Sequence, residues 1–173
     1  MSRKAAIAIG VILGASGTSV WAETGRAVLH GTKEESTVTG VAALADTPQG
    51  LQVTVEVAGA PAGRHGLHIH EFGDCADEGK TAGGHYNPDK VPHGLLPKDG
   101  LAKAHAGDLG NIEVGAEGRG MLTATLPGVS LGGSARSVAG RALILHEKPD
   151  DFGQPTGNAG GRIGCGLIVI IGQ

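Results

Sequence analysis

The sequence predicts an all-β domain, an antiparallel sandwich or barrel. Several stretches alternate apolar and polar residues with a period of two, most cleanly Leu51-Gln-Val-Thr-Val-Glu-Val57. The 32 glycines and 8 prolines punctuate these stretches as turns. No segment carries the period of an amphipathic helix. Short strands joined by Gly-rich turns point to a sandwich or barrel, and 173 residues suffice for one domain with its own core.

The strands expected are Arg26–Thr32, Ser36–Leu44, Leu51–Val57, Gly66–His70, Gly120–Leu126, Arg141–His146 and Ile163–Ile171. Two regions do not alternate. Phe72 to Asp108 and Glu147 to Arg162 are rich in Gly, Asp, Lys and Pro. Irregular segments this long are uncommon unless they are functional. Something must order them, and a metal or a disulfide would do so. There is no internal repeat.

The first 22 residues read as a secretory signal peptide. Arg3 and Lys4 precede the largely apolar Ala5–Val20, and Val20-Trp21-Ala22 offers a cleavage site before Glu23. The apolar stretch is short for a bilayer span and is interrupted by Gly14, Ser16, Gly17, Thr18 and Ser19, which argues against an anchor. Residues 23–173 then form the single mature domain, exported to the periplasm or beyond. Without Arg3 and Lys4 the net charge moves from −3 to −5. No basic stripe is present, so nucleic acid is not an expected partner, and no membrane contact is expected after cleavage. Trp21 leaves with the leader. Phe72, Tyr86 and Phe152 are the remaining aromatics, so the core must be aliphatic.

Cys75 and Cys165 are an even pair in an exported chain, which argues for a disulfide. Two free thiols or two further metal ligands remain the alternatives. A disulfide closing so long a loop would contribute roughly 4–5 kcal/mol in the chain-entropy model.

Six of the eight histidines fall into one pattern with an aspartate: His68-x-His70, His85, His93, His105-x-x-Asp108 and His146. Neutral imidazole is the commonest metal ligand. Seven ligands are too many for one tetrahedral or tetragonal ion, and suit two ions that share one. On the strand through Gly66–His70, Leu67 and Ile69 face one way and His68 and His70 the other. With the apolar side inward, both imidazoles point out of the barrel, where His146 at the end of another strand can join them. Such an imidazole-rich set suits Cu(II). His85, His93, His105 and Asp108 lie in the irregular segment and make a closed four-ligand set suited to structural zinc. His85 is the natural bridge. An imidazole shared by two ions has lost both ring protons, which makes it a proton acceptor linked to one-electron redox.

Gly66-Leu-His68-Ile-His70-Glu-Phe-Gly-Asp74 and Gly157-Asn-Ala-Gly-Gly-Arg162-Ile-Gly-Cys165-Gly resemble the two signatures of the copper/zinc superoxide dismutases. Gly84-His85-Tyr-Asn-Pro88, Gly107-Asp108-Leu-Gly-Asn111 and His146-Glu-Lys-Pro-Asp150-Asp151 match the intervening blocks, so the resemblance spans nearly the whole mature chain. It implies an eight-stranded Greek-key barrel with long metal-binding and electrostatic loops. It implies copper on His68, His70, His85 and His146, and zinc on His85, His93, His105 and Asp108. It further implies a Cys75–Cys165 disulfide, an Asp150 carboxylate linking His68 to His93, and Arg162 beside the open copper position as the partner of His85 in catalysis. The substrate implied is superoxide, and a homodimer is favoured.

The chain departs from animal members in places. The segment from His146 to Arg162 is shorter and lacks their Glu- and Lys-bearing stretch, so substrate steering differs. Lys148 is a candidate cation there, although a solvated surface lysine is the simpler reading. The spacing from His93 to His105 is slightly longer. The terminal run Gly166–Gly172 is apolar on both faces, which suits a buried strand or a contact between copies. His30 and His65 read as ordinary surface histidines. A copper-delivery protein on the same barrel is the alternative function. Proteins that handle Cu(I) favour thiolate and thioether ligands, however, and Met121 is the only thioether left in the mature chain. A zinc hydrolase would need a general base, and strand parity turns Glu71 away from His70.

Overall fold

The computed structural model describes residues 22–172. The expected leader, residues 1–22, therefore lies outside the described residues except for Ala22. Among the described residues nine strands form: β1 (Thr24–Gly31), β2 (Thr39–Thr47), β3 (Gly50–Ala58), β4 (Gly63–Ile69), β5 (Asp108–Val114), β6 (Gly120–Leu126), β7 (Ala142–His146), β8 (Arg162–Leu167) and β9 (Val169–Gly172). A single helical turn, α1 (Leu96–Asp99), and a 3₁₀ turn at Lys80–Ala82 sit within the first long loop.

The strands pair antiparallel in the order β2-β3-β6-β5-β4-β7-β8-β1, and β1 pairs with β2 to close the sheet. The expected eight-stranded Greek-key barrel is thus present, with β3 lying beside β6 rather than beside its successor. Closure removes the open edges that a flat sheet would carry.

Alternation explains the interior. Along β1 Ala27 and Leu29 turn inward, and along β3 Leu51, Val53, Val55 and Val57 do so, while their sequence neighbours stay outside. Each buried Leu, Ile or Val contributes on the order of 1.5–3 kcal/mol. The core is aliphatic as composition requires, with Tyr86 its one aromatic member. Leu96 from α1, and Leu131 and Val138 from the β6–β7 connection, also belong to it.

Two elements differ from the sequence reading. Strand β5 was hidden inside and beyond what reads as loop. Its register against β4 shifts between Leu67 and His68, and Gly110 takes φ 94°, so the apolar period is broken where the strand begins. The expected run Ile163–Ile171 is two strands rather than one. Ile168 is fully buried, and its backbone bonds to Arg141 O at 2.9 Å and Gly140 N at 2.8 Å, which interrupts pairing between β8 and β9. Beyond it β9 pairs with the start of β1 and leaves Val169, Ile170 and Ile171 exposed.

The disulfide Cys75–Cys165 joins the first long loop to β8.

The break at Ile168 is testable. Ile168→Ala should cost about 2–5 kcal/mol, as for other buried aliphatic truncations, whereas Ile170→Ala should stay within about 0.5 kcal/mol. Denaturant midpoints of the two variants check this. Equal effects would mean that Ile168 is not the residue of this run that turns inward.

Candidate metal centre

The outer face of β4 and β7 builds the site. Leu67 and Ile69 pack in the core, so His68 and His70 project from the opposite face, as parity requires. On β7, Leu143 and Leu145 point inward and His146 outward. β4 pairs with β7, which brings the three rings side by side. These imidazoles are nonetheless buried, because the two long loops fold back over them. The first loop returns His85 opposite His70 as an isolated antiparallel bridge. Gly107 makes that return possible: a Cβ there would collide with the carbonyl of Ile69.

Two four-membered sets of converging side chains result, with His68, His93 and Asp150 forming a smaller group between them. His68, His70, His85 and His146 have one ligand atom each within 4.8 Å of one another, and so do His85, His93, His105 and Asp108. All seven residues are buried, and His85 belongs to both sets. The rings of His68 and His85 stack with centroids 3.9 Å apart.

Outer partners fix which nitrogen of each ring faces the centre. His70 Nδ1 lies 3.0 Å from Gly83 O and His146 Nδ1 lies 3.4 Å from Gly160 O. A carbonyl only accepts, so those nitrogens carry the protons and the two Nε2 atoms face each other 3.3 Å apart. Asp150 accepts from His68 Nε2 at 2.9 Å and from His93 Nε2 at 2.9 Å. That leaves Nδ1 of both rings turned toward the sets, buried and without a hydrogen bond. His93 Nδ1 and His105 Nδ1 stand 2.9 Å and 3.2 Å from Asp108, close but not aligned for bonding. Buried polar atoms without partners are costly. Ring nitrogens aimed at a common point with their outer nitrogens already satisfied are what a bound ion requires, so both sets fit a metal. Imidazole alone makes the strand set suitable for copper, and three imidazoles with a carboxylate make the loop set suitable for zinc.

The carboxylates are held as firmly. Asp108 Oδ2 accepts from Gly94 N at 3.0 Å and His105 N at 2.9 Å. Asp150 N donates to Asn111 Oδ1 at 2.7 Å, and Asn111 Nδ2 donates back to Asp150 O at 2.9 Å. Gly157, at φ 73°, lies against Asp150 so closely that a Cβ would overlap its carboxylate.

Electrostatics separate the two sets. Burial, reinforced by neighbouring imidazoles, pushes His146 down to about 3 and His70 well below its usual range, and burial outweighs the Asp108 bond to bring His85 to about 4. His93 goes the other way: although burial opposes it, the carboxylates of Asp108 and Asp150 raise it to about 9. Burial pushes Asp108 and Asp150 up, but the facing histidines win and hold both well below the carboxylate range.

Arg162 is half-buried beside the strand set. Its guanidinium donates to Gly83 O at 2.5 Å and to Gly79 O, and burial lowers its pKa. It lines a cavity of about 190 Å³ together with His70, His85, His146 and Thr156. Lys148 is exposed and its methylenes rest near Gly160 at the cavity rim. Glu71 is engaged elsewhere, accepting from Gly84 N at 3.1 Å.

Sequence reasoning misplaced His65. It is buried rather than on the surface, its ring spanning His146 O at 2.9 Å and Pro61 O at 2.8 Å, and it belongs to neither set. His30 is exposed and outside both sets. Several supporting residues also escaped notice: Gly83 and Gly160 act through backbone carbonyls, and Gln154 brackets His93 with bonds of 3.0 Å and 2.8 Å. Backbone acceptors leave no side-chain signal in a sequence.

A family model described as copper/zinc superoxide dismutase matches residues 38–168. An extracellular copper-zinc superoxide dismutase of Caenorhabditis elegans is 45% identical over 125 residues, which is 68% of this chain and 55% of that protein. The chain thus spans about half the length of that relative. A crystal structure of the clock protein EA4 superposes with a TM-score of 0.74 at 36% identity, covering 86% of this chain and 94% of that one.

The raised His93 sets the proton balance of metal uptake. In the metal-free protein its extra proton stabilises the fold below the ordinary pKa of 6.5, and that contribution is lost as pH rises through about 9. Zinc binding near pH 7.5 should therefore release about one proton, and the apparent affinity should climb about ten-fold per pH unit toward pH 9. Copper added alone to the metal-free protein fills the strand set, where burial already holds His70, His85 and His146 neutral, and should release fewer. Calorimetry in buffers of different ionisation heat distinguishes the two, and equal proton release would contradict the assignment.

Proposed function

The chain belongs to the copper/zinc superoxide dismutase family, and from that premise we propose that it converts two superoxide anions and two protons into oxygen and hydrogen peroxide. The observation that supports this reading most directly is the pair of ligand sets sharing His85, with Arg162 in the cavity over one of them. His68, His70, His85 and His146 would hold copper, and His85, His93, His105 and Asp108 would hold zinc. Copper supplies the one-electron chemistry and zinc, which has none, orders the loop.

The protein's own groups do the rest. Arg162 presents a permanently charged, rigid fork to a small anion. That matters because the chain as a whole is negatively charged and would otherwise repel its substrate. The carbonyls of Gly79 and Gly83 fix the guanidinium but leave it facing the cavity. His85 can take a proton on the ring nitrogen that faces the strand set and return it to the departing peroxide. Asp150 keeps His68 and His93 in one tautomer each. Lys148, at the rim, is a weaker candidate for steering. Copper delivery on the same fold is the less favoured reading, since the cysteines that would serve Cu(I) are paired in the disulfide.

We further propose that residues 1–22 are a cleaved leader and that the mature domain 23–173 works outside the cytoplasm, in a bacterial setting the periplasm. The disulfide fits an oxidising compartment, and the C. elegans relative is named as extracellular. No helix among the described residues is long and apolar enough to cross a membrane. A homodimer is the association proposed. Phe72, Leu167, Val169 and Ile171 are exposed, Leu167 lies against Gly73, and Val169 and Ile171 share one face of β9. An exposed patch of this kind marks a contact surface.

Two outcomes test these proposals. Protein containing both metals should remove superoxide, and Arg162→Ala should slow this roughly ten-fold or more with metal content unchanged; full metal content without activity would overturn the enzyme reading. By light scattering the wild type should be a dimer and Ile171→Asp a monomer. A monomeric wild type would refute the association.

A further inference from the structure

His85 is the one side chain in both ligand sets, so its ring must keep one orientation while its neighbours in sequence, Gly84 and Tyr86, carry no ligand atom. Both neighbours are held instead by the chain around them. Glu71 N donates to Gly84 O at 3.0 Å, and Gly84 N donates to Glu71 Oε2 at 3.1 Å. Tyr86 N donates to Ile69 O at 2.8 Å, and its hydroxyl donates to Ala135 O at 3.2 Å.

One residue reaches Tyr86 directly and the Gly84 flank through Glu71. The guanidinium carbon of Arg141 lies 3.5 Å over the Tyr86 ring. Its Nη1 donates to Glu71 O at 2.5 Å and its Nε donates to Ser137 O at 3.0 Å. A guanidinium is suited to this double task, because its plane stacks on an aromatic ring while its edge donates in fixed directions. Arg141 immediately precedes β7, the strand that ends at His146. The brace on His85 is therefore built at the entry to the strand that presents His146. Arg141 belongs to neither ligand set and does not line the cavity beside Arg162.

We propose that Arg141 is a positioning residue for His85, fixing the shared imidazole by gripping Tyr86 on one side and the Glu71–Gly84 pair on the other. The inference rests on the reading of His85 as an imidazole common to two ions, and the test separates the two claims. With Cu(II) loaded into both sets, an imidazole bonded to both ions couples their spins and suppresses the paramagnetic signal. A wild type with full, uncoupled signal refutes the shared imidazole itself, whatever Arg141 does.

Given coupling in the wild type, Arg141→Met should restore much of the uncoupled signal at unchanged copper content and raise the zinc dissociation constant about ten-fold. Arg136→Met serves as the comparison. It removes the ion pair to Asp89, 2.7 Å and 2.9 Å long, on the same loop but at its surface, and should leave the coupling at the wild-type level. A merely structural contribution of Arg141 would lower stability without changing the coupling. Arg141→Lys keeps the charge but cannot stack and fork together. It should fall between the two, and it decides the matter if the methionine variant fails to fold. Wild-type coupling in the Arg141 variants that fold overturns the proposal.

Discussion

A closed barrel filled with aliphatic side chains has no room for polar ligands inside it. Every ligand carried on a strand of this protein must therefore point outward, where solvent would compete for it. The two long loops resolve that conflict. They cover the outer face of β4 and β7, so that His68, His70 and His146 are buried although none belongs to the core. The loops cannot bury themselves by hydrophobic packing alone, since they are rich in Gly, Asp and Pro. They are tied down by the disulfide, by Asp150 and by the ligands themselves. Removing water from this face is what pushes His70, His85 and His146 down.

The buried carboxylates then determine what each ring can do. Asp150 is shared between a strand ligand and a loop ligand, so the orientation of one set is not independent of the other. Asp108 draws three imidazoles around a single charge. The strand set contains no carboxylate, and burial with the neighbouring imidazoles holds His70, His85 and His146 neutral. The loop side holds an extra proton on His93. Two neighbouring sites built mostly from the same residue type are thereby given different affinities for charge. His85 stands at the boundary between them. Asp150 has no room to move, because Gly157 presses on it and Asn111 grips its backbone.

Most of the site was legible along the chain, because ligand chemistry is written in side chains. His68, His70, His85, His93, His105, Asp108 and His146 could be picked out by residue type and spacing, and the parity of β4 gave the direction of the first two. The resemblance to a known family placed Asp150, Arg162 and the cysteine pair. Much of the fold was legible too, since alternation marks inward positions directly. Where alternation fails, the reading failed with it. β5 begins at a register shift with a left-handed glycine, so its period is broken. The terminal run is apolar on both faces, and nothing in it marks Ile168 as the residue that turns inward.

Side-chain type and a period of two were enough for the class of fold and for the residues of the two converging sets, with His85 common to both. Tertiary structure alone decided the rest. It decided that His65 is buried between two carbonyls, that Gly83 and Gly160 set the tautomers of His70 and His146, and that Arg141 reaches Tyr86 and Glu71 at once. The reason is the same in each case. These contacts are made by backbone atoms, or by residues far apart in the chain, and their chemistry exists only once the loops have closed over the barrel.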